Sequence, residues 1–172
     1  TGAGYAEFEV AAGVVLQSDL TVDVQSVEGS ADYGALRLRE SWTGPGGLRK
    51  TGPGVASLTG ENKLFAGPVF VDEGVLAVTG PAAPAHAAGV TVASGGQVRL
   101  NSASTPGEPR AYAFGGVLAL SGFGRGAEIS DGAGQGKLGA LRYDPGTQSN
   151  VCVLTTPVAL QGEADLHVDG SL

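Results

Sequence analysis

VDEGVLAVTG, residues 71–80, sets short apolar runs on either side of a single glycine. The arrangement returns in VASGGQVRLN (92–101) and in FGGVLALSG (114–122), so that Leu76, Val98 and Leu118 correspond, as do Val78, Leu100 and Leu120. The pattern recurs every 20 to 22 residues, the length of one coil in a β-solenoid. Stacked coils place corresponding residues about 4.8 Å apart along an axis, so the Val and Leu positions become ladders of a core. Glycines turn the corners, where a Cβ would clash. An antiparallel sandwich also has short strands and turn signals, but gives no reason for one pattern to return at this interval. The expectation is therefore one inward ladder holding Leu76, Val98 and Leu118.

The rest of the chain reads the same way. YAEFEV, LTVDVQ, VLALS, VCVLT and ADLHV alternate with a period of two and end at turn-forming residues. Helical periodicity is almost absent. Glycine is 30 of 172 residues, against a usual share of about 7%. Hydrophobic residues make up 42%, too many for the disordered kind of glycine richness. The chain is all-β, and residues 1–172 read as a single β-solenoid domain. Two echoes suggest a piece of a tandem array. GALR occurs at 34–37 and 139–142, and VVLQSDLTVD (14–23) resembles VALQGEADLHVD (158–169) with a two-residue insertion.

The stretch WTGPGGLRKTGPG (42–54) lies one residue away from a phosphate-binding loop. Arg49 stands where that loop needs a glycine for its backbone amides to curl round a phosphate. The clustered Gly and Pro residues that follow allow no helix to start. Its glycines are therefore a matter of fold.

GGLRKTGPGVASLTGENKLFAGPVFVDEGVLAV, residues 46–78, resembles the autotransporter-associated β-strand repeat, also called the passenger-associated transport repeat. The matching positions are Gly47, Leu48, Lys50, Gly52, Gly54, Leu58, Gly60, Asn62, Gly67, Val71, Gly74 and Leu76. Departures are Ala56 for a leucine, Phe65 for a tyrosine, and one extra residue between Asn62 and Gly67. The resemblance covers about a fifth of the chain. It implies a right-handed parallel β-helix at the surface of a Gram-negative-type bacterium, or extracellular to it. It also implies that Lys50 is a solvent-facing position on a turn.

Chemistry-bearing motifs are few. The net charge of −7 argues against nucleic acid as a partner. No apolar run approaches the roughly 18 residues of a membrane helix, so this segment is not expected to insert in a membrane. The chain opens on Thr1, which reads as a mature segment or an excised piece of something longer. Cys152 is the single cysteine and, between Val151 and Val153, reads as a small apolar residue. His86 and His167 lack the spacing of a helical metal site and read as solvated. Asp131 is the one aspartate in GFGRGAEISDGAGQGKLG (122–139), too few for a calcium cage of about six to eight oxygens. The pairs Glu7/Glu9 and Glu163/Asp165 each fall on one strand face, read as solvated surface.

The expected function is thus a non-catalytic structural or adhesive rod segment, with no catalytic, cofactor or metal residues. Its expected partners are other copies or covalent neighbouring repeats, stacked end to end, with surface glycans as a further binding class. A polysaccharide-acting β-helix enzyme is the alternative, and would need Asp72, Glu73, Arg99, Arg110 and Asp131 to converge. A glycan-binding module would use Trp42, Tyr33 and Tyr143 as exposed aromatics.

Overall fold

The computed structural model describes residues 7–25, 35–59, 63–79, 84–101, 110–124, 139–144 and 151–168. Among them the chain runs through β1 (Glu7–Val10), β2 (Val14–Val15), β3 (Leu20–Asp23), β4 (Ala35–Leu38), β5 (Trp42–Thr43), β6 (Leu48–Thr51), β7 (Val55–Leu58) and β8 (Val69–Thr79). It continues through β9 (Val90–Asn101), β10 (Arg110–Tyr112), β11 (Leu118–Gly122), β12 (Leu141–Asp144), β13 (Cys152–Leu154), β14 (Val158–Ala164) and β15 (Leu166–Val168). The described residues include no helix, and every strand pair is parallel. Parallel partners so close in sequence require the chain to come full circle between them. That is the behaviour of a β-solenoid, and the architecture is consistent with one.

The pairs fall into three columns, which the chain visits in a fixed order. Column a stacks β3, β6, the first half of β8, the first half of β9, β11 and β14. Column b stacks β1, β4, β7, the second halves of β8 and β9, β12 and β15. Column c, among the described residues, holds β2 on β5, a bridge from Trp42 to Lys63, and β10 on β13.

The alternation seen in the sequence sends every second residue inward. In column a, one ladder is Leu20, Leu48, Val69, Val90, Leu118 and Val158. In column b, one is Phe8, Leu36, Ala56, Leu76, Val98, Leu141 and Leu166. The central rungs Val69, Val90, Leu118, Ala56, Leu76 and Val98 are all fully buried. A buried Val or Leu contributes roughly 1.5–3 kcal/mol, so these ladders are the main source of stability. In the middle coils column b is buried on its other face as well, where Val55, Val75 and Ala77 form a second small cluster.

The expected ladder is therefore half right. Leu76 pairs with Val98 and Val78 with Leu100, but Leu118 pairs with Val90 and Leu120 with Val92. The cause is which glycine turns the corner. Gly74 (φ 71°) turns the chain from column a to column b within β8, and a Cβ there would lie 2.4 Å from the Gly52 carbonyl oxygen. Gly96 is in register with Gly74, so Val98 lies after that corner. Gly115 and Gly116 instead stack on Ala87 and Ala88, before column a begins, which leaves Leu118 ahead of its corner. The interval of 20–22 residues holds for the middle coils and fails outside them: Leu20 pairs with Leu48, Leu118 with Val158, and Val98 with Leu141. The GALR echo is structural, since Leu36 and Leu141 occupy the same column b ladder.

Candidate functional site

Lys50 overturns the expectation of a solvent-facing turn. It lies between Val22 and Val71 in an inward ladder of column a and is fully buried. The ammonium, at the end of an apolar stem, reaches the corner below Gly74. There Nζ donates to the carbonyls of Thr51 at 2.7 Å, Gly52, and Glu73 at 3.0 Å. The first two belong to its own coil and the third to the next. A buried ammonium is tolerated only when its donors are taken up, and here backbone carbonyls of two coils do so. The signal was present in the sequence: the alternation of Leu48, Arg49, Lys50 and Thr51 puts Lys50 on the same face as Leu48.

Lys63 repeats the device in column c. It sits over Trp42, 1% exposed, and its Nζ donates to the carbonyls of Thr59 at 2.8 Å and of Glu40. Glu40 adopts φ 60°, unusual for a residue with a side chain, and so turns its carbonyl into this bond. Burial lowers the Lys63 pKa to about 8, with the Glu40 carboxylate pulling the other way. Leu64, next to it, is 44% exposed, so the lysine and not the leucine occupies the interior position. Sequence reasoning did not single out Lys63.

On the outer face of column a, Arg49 lies over the Phe70 ring at 4.4 Å and pairs with Asp72. Both side chains remain substantially exposed, which limits what the pair adds to stability. Asp19 accepts the Gly47 amide at 2.7 Å, and Asp23 accepts from Thr51 at 3.1 Å. Glu9 pairs with Arg39 at 3.1 Å near the N-terminal end. These acids each tie one coil to the next along the surface.

The residues proposed for other chemistry are dispersed. Asp72 is on the outer face of column a against Arg49, whereas Arg99 lies in column b opposite Ala77 and Arg142. Arg110 is in column c, paired through its backbone with Cys152, and Asp131 lies outside the described residues. Of the three aromatics, the two that are described are not fully exposed. Trp42 is 2% exposed with Nε1 donating to the Arg39 carbonyl at 2.9 Å, and Tyr143 is half-buried in the ladder of Leu100. Tyr33 lies outside the described residues. His86 is exposed as expected, but His167 is half-buried in register with Arg142. Cys152 is half-buried between two exposed valines, and burial pushes its thiol pKa up. Glu9, Glu163 and Asp165 are exposed, as expected for solvated surface. Among the described residues no group of His, Cys, Asp and Glu could hold a metal ion.

What the geometry offers is therefore a filled interior and a surface tied coil to coil. Phe8, in the first described strand, is 67% exposed, and Leu166 and Val168, in the last, are 62% and 70% exposed.

The chain is 31% identical, over 132 residues, to the adhesin BmaC autotransporter of Brucella suis biovar 1 (strain 1330). The aligned region covers 76% of this chain and 4% of that protein, so the chain spans a small fraction of this relative. This weak likeness points to autotransporter passengers. No family model matches the chain, and no solved structure matches it.

Proposed function

We propose that this chain is a non-catalytic segment of a bacterial surface protein, a right-handed parallel β-helix whose role is structural or adhesive. The observation that carries the reading is the run of in-register inward ladders, which fill the space between the columns with side chains. Such a body separates or presents groups along its length, because each coil contacts only its neighbours. The likeness to an adhesin autotransporter supports placement at the surface of a Gram-negative-type bacterium.

An array of neutral and uronate glycans, with product analysis, tests this reading. Retention without turnover, or no retention, agrees with an adhesive or structural role. Unsaturated sugar products above a buffer blank, with or without added calcium, would replace it with a lyase.

A further inference from the structure

Both lysines among the described residues lie inside the stack, and both serve one joint. Counted from the corner at Glu40, one coil carries β5, β6 and β7, and the next carries Lys63 and β8. Lys50, in the first coil, reaches up to the Glu73 carbonyl of the second at 3.0 Å. Lys63, at the start of the second, reaches back to the Glu40 carbonyl of the first. The two bonds run in opposite senses, and each spans 23 residues. They occupy two of the three corners of the joint, Lys50 at the turn from column a to column b and Lys63 at the turn from b to c. At the third corner the Gly67 amide donates to the Gly46 carbonyl at 3.2 Å.

The apolar ladders of this joint leave one choice open. In the observed register Leu48 lies against Val69, Ala56 against Leu76 and Leu58 against Val78. A slip of one residue would turn every interior side chain outward, so burial forbids it. A slide of two residues keeps each side chain on its own face. It sets Leu48 against Val71 in one direction, or Leu58 against Leu76 in the other, apolar on apolar again. The lysines do not tolerate that slide. Two residues of a parallel strand span about 6.6 Å, which carries the Glu73 carbonyl out of reach of an ammonium held by Thr51 and Gly52.

The acceptors are also particular to their places. Glu40 is the one non-glycine residue with a positive φ among those described, and Glu73 lies at the register shift between β8 and β9. A carbonyl two residues along does not stand at either feature. Buried polar groups in an apolar seam set register in coiled coils for the same reason: only one alignment satisfies them.

We propose that Lys50 and Lys63 are register-setting residues, a reciprocal pair of clamps that fixes the coil of β8 on the coil of β6 and β7 against a two-residue slide. The pair acts within the stack of coils described above, whether or not the outer surface is adhesive.

Disulfide trapping under native conditions, in a Cys152→Ser background, reads the register. Arg49→Cys with Phe70→Cys joins outward positions that are partners in the observed alignment. Thr51→Cys with Phe70→Cys, and Arg49→Cys with Asp72→Cys, report a slide in each direction. In the observed alignment these last two pairs have Cα atoms about 8 Å apart, too far for a disulfide. With both lysines present, only the first pair should close readily. In Lys50→Met/Lys63→Met, a slid pair should close about tenfold faster or more. Leu118→Ala is the control: it weakens the core where β11 meets β9 and β14, away from this joint, and should leave the slid pairs at the parent rate. Where the double variant does not fold, each single methionine variant is compared with Leu118→Ala in the same way. Slid pairs that stay at the parent rate in the folded lysine variants overturn the proposal. So does equal acceleration by Leu118→Ala, which would show that the lysines add stability and not register.

Discussion

Replacing Lys50 with methionine keeps the apolar stem in its ladder and removes the ammonium. On a solvent-facing turn the change would fall within about 0.5 kcal/mol of zero. Here it strips the donor from the carbonyls of Thr51, Gly52 and Glu73, one of them in the next coil. A hydrogen bond to a charged group contributes about 1.5–3 kcal/mol, and each buried acceptor left without a partner costs roughly 1–3 kcal/mol. Against this, the variant no longer desolvates an ammonium, which recovers part of the loss. The balance is a destabilisation of about 2–4 kcal/mol, a factor on the order of 30 to 1,000 in the folding equilibrium. At about 2–4 °C per kcal/mol for a chain of this size, the melting temperature should fall by roughly 4–16 °C. Urea unfolding followed by tryptophan fluorescence reads the change, because Trp42 is the single tryptophan and is buried. Arg49→Met is the control. Its side chain is half-exposed and its loss should cost under about 1 kcal/mol. If Lys50→Met unfolds no more easily than Arg49→Met, the carbonyl clamp between coils does not stabilise the fold and the reasoning is wrong.

Leu118→Asp places an unpaired charge among Val90, Val158 and the core and should cost several kcal/mol, visible as loss of the parent melting transition. Gly74→Ala should destabilise by about 2 kcal/mol or more in the same urea assay, since φ is 71° and the new Cβ meets two backbone oxygens within 2.5 Å. Lys63 has a folded pKa of about 8, below its ordinary 10.5, so between these values the unfolded chain holds more protons and stability rises with pH. Relative to Lys63→Met, the parent should therefore gain up to about 3 kcal/mol from pH 8 to 10.5. A flat difference across that window would show that Lys63 is not buried as a charge.

Period-two alternation and glycine punctuation establish that this chain forms short strands, and the return of VDEGVLAVTG as VASGGQVRLN establishes that they stack as coils. Both signals are local, because side-chain direction and the tolerance of a positive φ are properties of a few consecutive residues. Within one strand the alternation even marks Lys50 as inward, against the usual preference of lysine for water. Which rung lies over which was decided only in three dimensions. Leu118 aligns with Val90 because the chain turns from column a to column b after Leu118, so the glycines at 115–116 sit before the strand and not inside it. The acceptors that make room for the two lysines come partly from coils 23 residues away, at Glu73 and Glu40. No local pattern encodes a carbonyl at that distance. It is supplied by the stacking itself, which brings backbone from the neighbouring coil to the place where a buried ammonium needs it.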